Sequence, residues 1–136
     1  MQRLRVLIVE DEYLLAHDLA GELAGLGAEI VGFAPTLDKA LELATSPAFQ
    51  ADAAVVDIQL RDGLVYPAAS ALKDRGVAVV FSTARAKCEI PEEFALVPHV
   101  SKPCSPSEVM GAIRHEVEWN RLLSGLGSSS RQPTLN

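Results

Sequence analysis

Four short apolar segments run through this chain, and each one ends in charged or hydroxyl side chains. The segments and the residues after them are Leu4–Val9 before Glu10 and Asp11, Ala53–Val56 before Asp57, Val77–Phe81 before Ser82 and Thr83, and Leu96–Ser101 before Lys102. Short runs rich in β-branched residues are typical of buried parallel strands. Parallel strands end at the same edge of a sheet, so we expect these polar side chains to converge on one pocket.

Segments with helical periodicity separate the strands and predict an alternating β and α order. Leu15, Leu19 and Leu23 recur at helical spacing before Gly27, which is typical of an amphipathic helix closed by glycine. The further predicted elements are a second strand over Glu29–Ala34, a helix over Thr36–Ser46, a helix from Gly63 to Gly76, a short or irregular helix between Thr83 and Leu96, and a last helix opened by Ser105–Glu108 as a capping box. We therefore expect a doubly wound α/β fold.

Length and charge limit what kind of protein this is. A chain of 136 residues is most economically one domain, which we expect over residues 1–123, with a disordered tail over 124–136. The net charge of −6 and the scattered basic residues argue against direct nucleic-acid binding. No segment resembles a membrane span or a secretory signal, so we expect a cytoplasmic protein. Cys88 and Cys104 are expected to be free thiols, because they lack metal-ligand spacing.

The predicted pocket combines three carboxylates with a hydroxyl and an ammonium group. Bringing Glu10, Asp11 and Asp57 together costs about 1–4 kcal/mol per close pair, and a divalent cation removes that cost. Oxygen ligands of this kind suit Mg²⁺. Asp57 is the candidate nucleophile, because aspartate can form a phosphoryl intermediate. Lys102 and Thr83 can hold oxygens of the transferred group.

This combination resembles the receiver domain of bacterial two-component response regulators. The resemblance rests on Glu10-Asp11, Asp57, Ser82-Thr83 and Lys102-Pro103, each after its own strand. It implies a five-stranded parallel sheet in the flavodoxin-like order 2-1-3-4-5. It also implies phosphoryl transfer onto Asp57 from a histidine kinase or a histidine phosphotransfer protein, in a signalling protein rather than an enzyme. Mg²⁺ would then bind Asp11 and Asp57 directly, Glu10 through water, and the backbone carbonyl of Gln59.

Several positions depart from the pattern of that family. Arg61 stands where the family usually has a proline, and the loop around it is shorter. His99 stands where the family generally has a tyrosine or phenylalanine that turns inward on phosphorylation, so His99 is a candidate switch residue. The segment between Thr83 and Lys102 is also short for the family. We expect the face of the molecule used for signalling to be remodelled.

Three functional hypotheses follow from the residues and the resemblance. The first is a stand-alone phosphoacceptor that signals to a downstream protein or passes its phosphoryl group along a relay. The second is a receiver-like scaffold that binds a partner without phosphorylation. The third, a phosphatase acting through an aspartyl phosphate, is set aside because Gln59 stands where such an enzyme needs a second aspartate.

The last helix ends in an apolar stripe whose ordinary role is packing. The stripe consists of Trp119, Leu122, Leu123 and Leu126. A single tryptophan at the end of a final helix can also serve a contact between two copies of a chain. A homodimer is therefore a subsidiary hypothesis.

Overall fold

A computed structural model describes residues 3–84, 89–102 and 105–130, with residues 126–130 described by their backbone only. The strands are β1 (Leu4–Val9), β2 (Ala28–Ala34), β3 (Ala53–Val56), β4 (Gln59–Leu60), β5 (Gly63–Leu64), β6 (Ala78–Thr83) and β7 (His99–Ser101). The helices are α1 (Tyr13–Gly25), α2 (Leu37–Thr45), α3 (Tyr66–Asp74) and α4 (Pro106–Ser130).

Five of the strands form one parallel sheet in the order β2-β1-β3-β6-β7. Counting only these five strands along the chain, this is the predicted order 2-1-3-4-5, which is confirmed. In such a sheet the chain moves first to one side of β1 and then to the other, and ligands bind beside the carboxyl ends at that reversal. The reversal here lies between β1 and β3.

Helices cover both faces of the sheet and divide the core into two layers. Leu7, Val9 and Phe81 belong to the layer that contains buried residues of α2 and α3. Val6 and Ile8 point into the other layer, with buried residues of α1 and α4. Alternate residues of one strand thus enter opposite layers, as the two-residue period of a strand requires. Burial on both faces explains why the strands are continuously apolar in sequence.

The register of the sheet aligns the strands' carboxyl ends. Val9 pairs with Val56, Val56 pairs with Phe81, and Phe81 pairs with His99. All four strands therefore run toward the same edge of the sheet. β1 and β3 end at this level, whereas β6 and β7 continue for two more residues, to Thr83 and Ser101.

One predicted boundary is wrong, at the start of the third helix. We expected this helix to begin at Gly63, but Gly63 and Leu64 form a two-residue strand paired antiparallel with Gln59 and Leu60. The helix α3 begins only at Tyr66. Gly63 has a φ of +148°, which is outside the helical region and favours glycine. We call residues Gln59–Leu64 the hairpin.

The last helix begins as predicted and extends further than expected. The backbone N–H of Glu108 donates to the Ser105 hydroxyl at 3.1 Å, and the N–H of Ser105 donates to the Glu108 carboxylate at 2.9 Å, which confirms the capping box. The helix continues to Ser130, beyond the boundary expected at Leu123. Extending an existing helix is easier than starting one, so a stretch of serine and glycine can follow a stable start.

Other predictions meet the structure only in part. Among the described residues between Thr83 and Leu96, a 3₁₀ turn over Glu92–Phe94 stands where a short or irregular helix was expected. Cys88, Cys104 and residues 131–136 lie outside the described residues. Residues 124–130 of the expected tail continue α4, and the disorder of residues 131–136 stays a prediction. Within the part of the chain that the structure describes, no helix is both long enough and apolar enough to cross a membrane.

A substitution at Gly63 tests the backbone of the hairpin. A Cβ atom at this position would lie 3.2 Å from Leu37 Cδ2 and would carry the strain of the positive φ. We expect Gly63→Ala to lower the free energy of unfolding by about 1–3 kcal/mol in chemical denaturation. The control is Gly21→Ala on the exposed side of α1, where an added Cβ meets nothing within 4 Å. It should raise stability by about 0.5–1 kcal/mol. Equal stability of Gly63→Ala and the wild type would contradict this account of the hairpin.

Candidate metal and phosphoryl site

The carboxyl ends of β1 and β3 bring three acidic side chains together. The backbone N–H of Asp57 donates to the carbonyl oxygen of Val9 at 2.9 Å, which joins the two strand ends. One carboxylate oxygen from each of Glu10, Asp11 and Asp57 lies within 4.8 Å of the others. The convergence of these three side chains agrees with the sequence prediction.

A lysine that follows the edge strand β7 reaches the same group of carboxylates. Lys102 follows β7, and its backbone N–H donates to the carbonyl oxygen of Thr83 at 2.9 Å. Its Nζ lies 3.0 Å from Glu10 Oε1 and 3.1 Å from Asp57 Oδ2. The side chains of Glu10 and Asp57 are only 10% and 14% exposed, so this ammonium stands between two largely desolvated carboxylates.

Burial and charge pull the pKa values of this group in opposite directions. Burial raises the pKa of the Glu10 carboxyl above its ordinary value, and the hydrogen bond from Lys102 offsets only part of that rise. Burial lowers the pKa of the Lys102 ammonium, but its hydrogen bonds to Glu10 and Asp57 outweigh that effect and leave the pKa raised. Lys102 is therefore held in its charged form beside a concentration of negative charge.

Thr83 and Gln59 lie at the same edge of the sheet, whereas His99 lies at the start of β7. Thr83 is buried at the end of β6, where it pairs with Ser101 of β7. Gln59 begins the hairpin, and its backbone N–H donates to Asp57 Oδ1 at 3.2 Å. His99 is half-buried in β7 opposite Phe81.

The geometry fits a hard divalent cation and an anionic group beside it. The three carboxylates offer oxygen ligands at close spacing, which is the donor set that Mg²⁺ prefers. Lys102 adds a positive charge that can approach a transferred phosphoryl group. The site therefore combines a carboxylate predicted as a nucleophile, candidate metal ligands and a cation.

Two residues in the turn of the hairpin, which the sequence did not assign to the site, make long-range contacts beside it. Arg61 Nη2 donates to the backbone carbonyl oxygen of Asp11 at 3.2 Å. The carboxylate of Asp62 accepts from the backbone N–H groups of Leu37 and Asp38 at 2.7 and 3.2 Å, which caps the start of α2. A signal was present in the sequence, because a short polar turn followed by glycine is typical of a hairpin.

Comparison with known proteins agrees with this fold, although no protein-family model matches the chain. The chain is 35% identical over 114 residues to the phyllosphere-induced regulator PhyR of Methylorubrum extorquens, covering 79% of this chain and 41% of that protein. It is 34% identical over 128 residues to the transcriptional regulatory protein PdtaR of Mycobacterium tuberculosis, covering 90% of this chain and 60% of that protein. The chain thus spans about two fifths to three fifths of these relatives.

Solved structures show the same architecture. The signal receiver domain of a modulated diguanylate cyclase from Desulfovibrio desulfuricans superposes with a TM-score of 0.77 at 27% identity, covering 89% of this chain and 98% of that one. The fold, the site and these relatives together define a class of two-component signalling protein. The chain belongs to the receiver domains of response regulators.

Removing the lysine from the site tests the electrostatic account of it. In Lys102→Met the carboxylates of Glu10 and Asp57 lose their shared cation, so a divalent cation has no competitor there. We expect the Kd for Mg²⁺ to fall by about tenfold, equivalent to about 1.4 kcal/mol, in isothermal titration calorimetry. The control is Lys39→Met on α2, whose ion pair with Glu42 is exposed. An unchanged or higher Kd for Lys102→Met would contradict competition between the ammonium and the metal.

Proposed function

We propose that this chain is a phosphoacceptor that receives a phosphoryl group on Asp57 from a histidine kinase or a histidine phosphotransfer protein. The observation that supports the proposal best is the position of Lys102 Nζ, 3.1 Å from Asp57 and 3.0 Å from Glu10, beside the cluster of three carboxylates. A structural ion pair alone needs one carboxylate, whereas this lysine serves a site with an excess of negative charge.

Four residues would hold the metal in this proposal. Asp11 and Asp57 are the direct carboxylate ligands, Gln59 contributes its backbone carbonyl, and Glu10 binds through water. Their oxygens match the ligand preference of Mg²⁺. When bound, Mg²⁺ would offset negative charge on the incoming phosphoryl group and on the carboxylates.

The chain's own side chains would carry the transfer. A carboxylate oxygen of Asp57 forms a bond to phosphorus as the bond between phosphorus and the donor's leaving atom breaks. The leaving group departs with that electron pair. Lys102 and the Thr83 hydroxyl would hold oxygens of the phosphoryl group once it is on Asp57.

The output would pass through contacts with another protein or through a phosphorelay. Phosphorylation would shift the molecule between two surface conformations that a partner distinguishes. His99 is the proposed switch residue, since it lies three positions before Lys102 in β7. A stand-alone mode of action is part of this proposal, and a homodimer through the end of α4 is a subsidiary one.

Phosphorylation with a small donor tests the chemistry directly. With acetyl phosphate and Mg²⁺, we expect the wild type to gain one phosphoryl group by intact mass spectrometry and Asp57→Asn to gain none. The control is Asp74→Asn, an exposed aspartate at the end of α3 that should be phosphorylated normally. A folded wild-type chain that stays unmodified with this donor and with a panel of histidine kinases would overturn the proposal.

Partner binding separates the phosphoacceptor from the scaffold hypothesis. A scaffold would bind its partner equally well as wild type and as Asp57→Ala, with or without a phosphodonor. The phosphoacceptor should show partner affinity that changes on phosphorylation and no longer does so in Asp57→Ala.

A further inference from the structure

Two separate loops supply the proposed metal ligands, and one arginine joins them. Asp11 lies between β1 and α1, whereas Asp57 and Gln59 lie between β3 and the turn of the hairpin. Arg61 Nη2 donates to the Asp11 carbonyl oxygen at 3.2 Å, across 50 positions in the chain. This hydrogen bond connects the two ligand-bearing loops through the main chain of Asp11.

The hairpin that carries Arg61 is fixed at its base. Gln59 pairs with Leu64, and the backbone N–H of Val65 donates to the Ile58 carbonyl oxygen at 2.8 Å. The Leu60 side chain is 1% exposed and packs in the core.

The turn of the hairpin is also held by contacts with α2. The two hydrogen bonds that the Asp62 carboxylate accepts from the start of α2 hold the residue next to Arg61. Arg61 therefore extends from a supported backbone, and its contact can restrain the position of Asp11.

The chemistry of the contact indicates orientation rather than charge neutralisation. Arg61 donates to a backbone carbonyl, whereas the charge of the carboxylates is met by Lys102. Groups that hydrogen-bond to a metal-binding residue without binding the metal themselves fix the orientation of that residue. Removing such groups commonly weakens metal binding by 10- to 100-fold.

We propose that Arg61 is a positioning residue for the divalent cation. It holds the main chain of Asp11 so that the Asp11 carboxylate stays within reach of the ligands on the Asp57 side. The proposal rests on the proposed function, because it assumes that the carboxylate cluster binds Mg²⁺.

Loss of the Arg61 charge and loss of its hydrogen bond would change the Kd for Mg²⁺ in opposite directions, so the measured change distinguishes the two roles. A guanidinium near the site repels a divalent cation, so if charge alone mattered, Arg61→Ala would bind Mg²⁺ more tightly. If Arg61 positions Asp11, the same variant binds Mg²⁺ more weakly. The electrostatic effect is also screened by salt, whereas the positional effect is not.

The test measures Mg²⁺ binding to the full chain by isothermal titration calorimetry at low and high salt. We expect the Kd of Arg61→Ala to rise by about tenfold at both salt concentrations. Arg61→Lys, which keeps the charge and one possible donor, should recover part of the loss. Circular dichroism establishes that each variant is folded.

A matched arginine elsewhere in the fold provides the control. Arg75 also donates to backbone carbonyls, those of Leu43, Ala44 and Phe49, beyond the end of α3. Arg75→Ala removes three such hydrogen bonds, against one in Arg61→Ala, and its Kd for Mg²⁺ should nevertheless stay within about twofold of the wild type.

The outcomes separate this proposal from the proposed function. An unchanged or lower Kd in Arg61→Ala would overturn the positioning role even if Asp57 is phosphorylated normally. Absence of Mg²⁺ binding to the wild type would overturn it as well. Failure of phosphorylation on Asp57 with intact, Arg61-dependent Mg²⁺ binding would overturn the proposed function and leave the positioning role supported.

Discussion

The site depends on one ammonium group shared between two carboxylates. Lys102 lies within hydrogen-bond distance of both Glu10 and Asp57, which are largely buried and adjacent to a third carboxylate, Asp11. Without a cation, three carboxylates at this spacing would repel one another strongly in a partly desolvated setting. The shared ammonium makes the cluster compatible with the folded chain, and because one positive charge does not balance three negative ones, the site retains an attraction for further cations.

The position of this group follows from how the sheet is packed. Strands that are buried on both faces have little freedom in register, since a shift of one residue would exchange the two core layers. The pairs Val9 with Val56 and Val56 with Phe81 are fixed in this way. The polar residues that follow each strand are therefore placed by the hydrophobic core, and the energy that assembles the site comes from apolar side chains beneath it.

The fold was largely predictable from the sequence, whereas the contacts made by the turn of the hairpin were not. The apolar runs before Glu10, Asp57 and Lys102 predicted the strands and the convergence of the carboxylates, because these features depend on local patterns repeated along the chain. The strand order followed from the resemblance to receiver domains. The contacts of Arg61 and Asp62 depend on partners far away in sequence, namely Asp11 and the start of α2. Periodicity reveals which face of a segment is buried but not which backbone group a charged side chain will meet.

The length of α4 has a consequence for spectroscopy. Trp119, the single tryptophan of the chain, is half-exposed on this helix, and the rise of an α-helix places it roughly 20 Å along the axis from Pro106. Its indole ring is therefore a natural fluorophore far down the helix from the end that follows Lys102. If the emission maximum of Trp119 shifts when a metal ion or phosphoryl group binds at the site, the shift reports a rearrangement transmitted along or across this helix. It does not report quenching by the bound group itself.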